Sequence, residues 1–214
     1  MLVRPELQAL RSDDTPQRQA QATLQRLSAE WRASGGGRGL DEAMSNYAHG
    51  KPLAQLTPLA RLFTPGNSAA HRLTGDLIGR LIAALVAAPW GQVPLRHKLD
   101  DVTATLVLAS AGNAALVLQA IDGTGLQRRP PAITTSFSPG ETHEHVLAGA
   151  ADARLIELSG ETDSRADLTV AQCHLAPGDI ARRSGGRQSL LIDAAATTLV
   201  TLKLQRRPAP PAGR

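Results

Sequence analysis

The spacing of apolar residues changes near Pro89. Before this residue, apolar side chains recur every three or four positions, which predicts amphipathic helices. The clearest runs cover residues 15–34 and 68–88, and a shorter helical stripe covers 53–63. Pro16 suits the first helical position, where its missing N–H costs nothing, and the glycines at 35–37 are typical of a helix end. The wide apolar face of the 68–88 helix predicts that this helix is largely buried.

After Pro89, short apolar runs alternate with turn-forming residues. They predict strands over residues 102–109, 114–121, 132–137, 153–158, 168–175, 188–193 and 197–204. Short strands with closely spaced turns favour a β-sandwich or barrel. In the last run, Leu202 and Leu204 share one face while Lys203 and Gln205 share the other. We therefore predict an α+β protein with a helical lobe over residues 1–90, an antiparallel β-barrel over 91–206 and a disordered Pro-rich tail over 207–214.

The amino-acid composition limits the kinds of binding partner that we expect. Hydrophobic residues make up 42% of the 214-residue chain and charged residues 20%, so we expect a folded core rather than disorder. Aromatic residues make up only 2%, which argues against a platform for stacking nucleic-acid bases. The net charge of +4 could attract phosphate, but much of the excess is arginine in loops and tails, typical of a solvated surface. Nucleic-acid association through arginine clusters remains a third hypothesis, behind two others given below.

The compartment follows by elimination. The single cysteine, Cys173, cannot form an intramolecular disulfide, so nothing indicates an oxidising compartment. The first ten residues do not have the pattern of a secretory signal. The longest apolar run, residues 81–90, is too short to span a bilayer. We therefore expect a cytoplasmic protein without membrane association.

Two stretches of the strand-rich region resemble the motifs of the cupin family. The first runs from Pro139-Gly140 to the pair His143-x-His145, and the second contains Pro177-Gly178-Asp179. The resemblance implies a small jelly-roll barrel over about half of the chain. The sequence departs from the family pattern because residues 146–153 contain no glutamate, and because arginine and glutamine stand at 187 and 188, near the place of the family's second-motif histidine.

The histidines of this region are the candidate metal ligands. At positions i and i+2 of a strand, His143 and His145 point to the same face and could bind one ion. A third ligand is needed, and His174 could supply it if its strand is a neighbour. Such a set would suit one divalent ion, Fe, Mn, Zn or Ni. The alternative is that residues 141–145 form a polar loop in solvent. Cys173 is predicted to pack as a small hydrophobic residue facing away from His174.

Two functional hypotheses follow from these patterns, and they leave open whether the protein is an enzyme. The first is a non-catalytic, small-ligand-binding or regulatory cupin-like protein, because a barrel with an incomplete ligand set still has a lumen. Its helical lobe would face a protein partner or form a homodimer. The second is a metal-dependent cupin enzyme of the oxygenase or isomerase type, with His143, His145 and His174 as ligands. Neither hypothesis identifies catalytic or cofactor-binding residues.

Overall fold

The computed structural model describes residues 13–34, 37–162 and 165–208. Helices come first and antiparallel strands follow, as predicted. The α-helices are α1 (Thr15–Ala33), α2 (Leu40–Ala48), α3 (Thr57–Ala60), α4 (Ala69–Ala87) and α5 (Gly123–Gln127), with single 3₁₀ turns at Leu53–Gln55 and Arg61–Phe63. The strands are β1 (His97–Leu99), β2 (Thr103–Ala111), β3 (Ala114–Asp122), β4 (Glu141–Ala148), β5 (Ala151–Thr162), β6 (Arg165–Leu175), β7 (Ile180–Ser184), β8 (Gln188–Ala195) and β9 (Thr198–Arg206). Within these ranges, every helix is too short or too polar to cross a lipid bilayer.

The two long helices begin and end close to their predicted limits. Helix α1 has a proline in its first turn, as expected, and α4 begins where the Asn67 side chain accepts a hydrogen bond from the Ala69 N–H, 2.9 Å away. The prediction that α4 is largely buried is only half right. Leu77 is buried, but Ile82 and Val86 are 57% and 79% exposed. The apolar face of α4 is therefore wider than the surface that covers it.

The chain divides into two compact units, and the division differs from the predicted lobes. The first unit combines the described residues up to Arg38 with residues 71–96, and the second combines residues 39–70 with the chain from His97 onward. Residues 39–70, here called the cover segment, therefore belong with the strands and not with the other helices. The predicted lobes had separated helices from strands by type, whereas packing joins one helical segment to a sheet.

The strands of the second unit form two antiparallel sheets. One sheet has six strands in the order β1-β2-β3-β9-β4-β7, and the other has three in the order β6-β5-β8. The sheets share an apolar core to which both contribute, comprising Val146, Ala151, Ala153, Leu175, Ala195 and Leu199. Two separate sheets with a common core form a sandwich. The predicted α+β class and the antiparallel, jelly-roll-like character are confirmed, and the two sheets are not closed into one barrel.

The cover segment packs against the outer face of the six-stranded sheet. Helix α2 contacts β2 and β3, and the 3₁₀ turn at Arg61–Phe63 contacts β4. Large apolar side chains from the segment and the sheet are buried together: Leu40, Met44, Tyr47, Leu59, Leu62, Leu108, Leu116, Leu202 and Leu204. The central part of the sheet is thus covered on its outer face, whereas the edge strand β1 is exposed.

The list of predicted strands fails in four places. Residues 132–137 form no strand; this extended loop instead lies along β5 and β8, where Thr135 hydrogen-bonds to Ser189 and the Ala132 carbonyl accepts from Arg154. Strands β1, β4 and β7 were absent from the list, because charged or polar residues interrupt their apolar pattern, although the metal hypothesis did place His143 and His145 on a strand. In the predicted tail, the N–H of Arg207 donates to the Asn113 carbonyl, 3.0 Å away, and residues 209–214 lie outside the described residues.

Candidate functional site

Strand β4 presents two different polar faces. Alternation along the strand turns Glu141, His143 and His145 toward the cover segment. The same alternation turns Thr142 and Glu144 to the inner face, between the two sheets. The predicted common face of the two histidines is therefore confirmed, but it is the outer face of the sheet.

Both histidines are buried in the packing of the cover segment. His143 is 4% exposed, and its Nε2 lies 2.9 Å from Glu141 Oε1. Its ring centroid lies 5.8 Å from that of Phe63. His145 is 2% exposed, and its Nδ1 lies 2.7 Å from the Leu62 carbonyl oxygen. Because a carbonyl oxygen only accepts, Nδ1 of His145 carries a proton and donates it. The alternative of a solvated polar loop is wrong for this segment.

Glu141 is the centre of a polar network on this outer face. Arg206 Nη2 lies 2.8 Å and Arg182 Nη2 3.1 Å from its carboxylate oxygens, and the Tyr47 hydroxyl donates from 3.3 Å. The guanidinium of Arg206 also lies over the Tyr47 ring, 4.4 Å from its centroid. These contacts join β4, β7, β9 and α2. Their arrangement is that of a structural clamp between sheet and cover.

The titration of the clamp groups agrees with a structural role. Burial raises the pKa of Glu141. The His143 hydrogen bond and the guanidiniums of Arg206 and Arg182 lower it by more, so the pKa of Glu141 is below its normal value. Burial lowers the pKa of His143, so at neutral pH this ring is a neutral donor and the arginines hold the carboxylate charge. Burial and the Glu141 charge raise the pKa of Tyr47, so the phenol stays protonated and donates.

His174 does not join the other two histidines. It lies on β6, in the three-stranded sheet, with its side chain 63% exposed and its Nδ1 2.8 Å from Asp152 Oδ1. In residues 13–34, 37–162 and 165–208, no three side chains of histidine, cysteine, aspartate or glutamate are placed to hold a metal ion. The donor set therefore does not fit a metal shared by the three histidines. Cys173 is half-buried against the sandwich core, as predicted.

A polar cleft lies on the inner side of β4. Its volume is about 200 Å³. The lining comes from the loop before β4 and from strands β4, β7, β8 and β9, and comprises Ser136, Ser138, Gly140, Thr142, Arg183, Ser184, Gly186, Gln188, Ser189, Leu190, Lys203 and Gln205. Hydroxyl, amide and cationic groups dominate this surface, which is unusual for the interior of a sandwich.

A buried charged cluster adjoins the cleft and includes two of its lining residues. Glu144 is 5% exposed, and its carboxylate lies 2.9 Å from Arg183 Nη2 and 3.4 Å from Lys203 Nζ. The Thr201 hydroxyl donates to the same carboxylate from 3.3 Å, and Lys203 Nζ donates to Gln119 Oε1 from 2.9 Å. Burial raises the pKa of Glu144, but Lys203 and Arg183 more than offset this effect, so its pKa is lowered and the group is ionised at neutral pH.

One nitrogen of this cluster has no partner among the described residues. Arg183 Nη1 is buried and makes no hydrogen bond there. An unpartnered buried donor costs about 1–3 kcal/mol, and more when the group is charged. Such a cost is commonly offset by water or by a ligand. Arg183 is therefore a residue of the cleft that still has a hydrogen-bond donor available.

The sequence contained a signal for the cleft that was not followed. The alternation of β9 places Thr201, Lys203 and Gln205 on one face, and this polar face is the inner one. Polar faces of strands usually point to solvent. The outer, apolar face of β9 is buried by the cover segment, so the polar face was free to line a cleft. Arg183 was missed because β7 itself was not predicted.

The motif residues lie where the cupin resemblance implies. The pair His143-x-His145 is on a strand of the larger sheet, and Pro177-Gly178 forms the turn before β7, with Gly178 at φ +95°. The strand-rich unit has a cupin-like fold.

Comparisons with known proteins give the following similarities. No family model and no curated protein matches the chain. Among solved structures, the chain is similar to the cupin domain of CENP-C from Drosophila melanogaster (12% identity, 53% of this chain and 76% of that one, TM-score 0.40). It is also similar to a cupin superfamily protein from Desulfitobacterium hafniense (12% identity, 52% and 83%, TM-score 0.34) and to KdgF from a Halomonas species (16% identity, 53% and 89%, TM-score 0.34).

Proposed function

We propose that this cupin-like chain is a non-catalytic protein that binds a small ligand in the polar cleft between its sheets. The observation that carries the proposal is the cluster of Arg183, Lys203 and Glu144, which is buried beside the cleft and leaves one guanidinium nitrogen without a partner. Burying three charges is costly, and a sandwich interior filled with apolar residues would be as stable or more so. A charged cleft wall is therefore better explained by binding than by stability.

The chemistry of the cleft favours binding over catalysis. A general base works best with a pKa near the operating pH. The pKa of Glu144 is lowered, and its carboxylate already accepts from Arg183, Lys203 and Thr201. The described lining residues include no histidine, cysteine, aspartate or glutamate that could act as a second catalytic group. The cleft thus offers donors to hold a ligand and lacks a poised proton acceptor.

The metal-dependent alternative has weaker support. It needs His143, His145 and a third donor around one ion, and His174, the predicted third donor, lies on β6 in the other sheet. The described residues offer no histidine, cysteine, aspartate or glutamate set placed to complete such a site. A regulatory role remains compatible with the binding proposal, because an occupied cleft could change what the protein contacts.

The proposal is tested by filling the cleft. Ser138 is an exposed lining residue, so we expect Ser138→Trp to fold normally and to occupy the cleft with its indole ring. Thr124→Trp, at an exposed position on α5 outside the cleft lining, is the matched control. Saturation-transfer NMR against a panel of small polar metabolites should show bound compounds with the wild type and Thr124→Trp but not with Ser138→Trp. Equal binding to all three proteins, or no binding by any at millimolar concentration, would contradict the proposal.

A further inference from the structure

We propose that the cleft selects a small hydroxylated monocarboxylate, an inference that rests on the proposed function and specifies its ligand. Three properties of the cleft lead to it: the balance of charge beside it, the unpartnered guanidinium nitrogen of Arg183, and the polarity and size of the lining.

The charge balance favours one negative charge on the ligand. Arg183 and Lys203 bring two positive charges, and Glu144 cancels one of them. A single carboxylate would complete the balance. A phosphate monoester, which carries nearly two negative charges at neutral pH, would leave excess negative charge beside the buried Glu144. A neutral ligand would leave the second cation uncompensated.

Arg183 provides the donor for the carboxylate. Its Nη2 bonds to Glu144 from 2.9 Å, and its Nη1 is buried without a partner in the described chain. A guanidinium has five N–H donors in a fixed plane and pairs well with carboxylate oxygens. One nitrogen of this group is therefore committed to the protein, and because Arg183 lines the cleft, a small movement of its side chain would present the unpartnered nitrogen to a ligand.

The rest of the lining suits hydroxyl groups. It includes the hydroxyls of Ser136, Ser138 and Thr142 and the amides of Gln188 and Gln205. Hydroxyl and amide groups can both donate and accept hydrogen bonds, so they can bind a ligand hydroxyl either as its donor or as its acceptor. A site built this way rejects analogues that leave its polar groups unpaired.

The size of the cleft limits the length of the ligand. An apolar cavity of about 150 Å³ holds benzene, so a cleft of about 200 Å³ holds roughly eight non-hydrogen atoms. A hydroxy acid of three or four carbons has this size. Glycerate and erythronate are therefore suitable probes, with glycerol and erythritol as neutral counterparts and glycerol 3-phosphate as the counterpart with more charge.

Isothermal titration calorimetry with these probes tests the inference on the full chain. We expect the wild type to bind glycerate or erythronate and to bind the neutral polyols and glycerol 3-phosphate at least roughly 10-fold more weakly. Arg183→Gln should weaken carboxylate binding roughly 10- to 100-fold. Arg182→Gln is the matched control, because Arg182 is the next residue on β7, is largely exposed and bonds to Glu141 on the opposite face. Its carboxylate binding should equal that of the wild type.

Different outcomes separate this inference from the proposed function. Preferential binding of a polyol or of glycerol 3-phosphate that is blocked in Ser138→Trp would overturn the inference and leave the binding proposal standing. Carboxylate binding that is equally weakened by Arg182→Gln and Arg183→Gln would also overturn it. If Arg183→Gln proves unfolded by circular dichroism, Gln205→Leu replaces it, with weaker carboxylate binding expected and unchanged binding counting against the inference. Absence of binding by every probe and every panel compound would contradict both.

Discussion

Replacing Glu144 with glutamine removes the one negative charge of the inner cluster and one of its two acceptor oxygens. Arg183 and Thr201 donate to different oxygens of Glu144, so the single amide oxygen can accept from one of them but not from both. Two cations, Arg183 and Lys203, would then stand beside each other, with side chains only 14% and 18% exposed. The substitution therefore tests charge compensation inside the sandwich while keeping the shape of the side chain.

The expected cost is about 2–3 kcal/mol of the free energy of unfolding. Removing one partner of a fully buried ion pair costs about 3–5 kcal/mol, because it leaves a buried charge without compensation. Here both cations retain some contact with water, and the glutamine keeps one acceptor for the cluster, so we expect a cost at or below the lower end of that range. Glu157→Gln, at an exposed acid on β5, is the matched control and should change stability by less than about 0.5 kcal/mol.

The pH dependence gives the prediction its sign. The pKa of Glu144 is lower in the folded protein than the unfolded value of about 4.3. Its contribution is therefore complete above the unfolded pKa and is lost as the pH falls through the folded pKa. The stability difference between the wild type and Glu144→Gln should be largest at neutral pH and should shrink below about pH 4.3.

The assay must report on the second unit. Both tryptophans, Trp31 and Trp90, lie in the first unit, so tryptophan fluorescence would follow the wrong part of the chain. Urea unfolding should therefore be monitored by hydrogen–deuterium exchange of peptides from β9, because β9 lies in the sandwich. A Glu144→Gln protein as stable as the wild type at pH 7, or one whose deficit stays constant down to pH 3, would refute the account of the charged cluster.

Two further predictions concern the histidines and a turn. The protein is incubated with Fe(II), Mn(II), Zn(II) or Ni(II), gel-filtered and analysed for metal by mass spectrometry, and we expect well below one ion per chain. One ion per chain that is lost in the His143→Ala/His145→Ala double variant would favour the metal-dependent enzyme instead. Gly149→Ala should be at least about 1 kcal/mol more destabilising in urea than Gly178→Ala, although both positions have positive φ, because only at Gly149 would the new Cβ collide with the Thr198 carbonyl. Equal losses would show that the collision is relieved by small shifts.

The local pattern of the sequence predicted much of the fold but not its partners. Alternation in β9 separated Leu202 and Leu204 from Lys203 and Gln205, and the structure has the same separation. Which face is inward could not follow from alternation, because that depends on what covers each side. The helical stripe over residues 53–63 was visible in the sequence, but an amphipathic stripe does not specify the surface it covers.

The histidine prediction shows the same limit at a finer scale. The period of a strand was enough to place His143 and His145 on one face. The third ligand depended on which strands are neighbours, and strand pairing is a long-range property. His174 proved to be in the other sheet, paired with Asp152 across β5 and β6. The pairing of Arg183 with Glu144 was not predicted for the corresponding reason, since each is informative only beside the other.

The position of β9 has a consequence for how the chain acquires this structure. It is the last strand of the described chain, yet it lies in the middle of the six-stranded sheet, between β3 and β4. During synthesis, β3 and β4 leave the ribosome before β9, the strand that pairs with both. Until then α2 also lacks the β9 leucines against which it packs. Pairings this distant in sequence make folding slow. The nascent chain would therefore hold two unpaired strand edges until β9 emerges, and in that period it is exposed to chaperone binding and to aggregation.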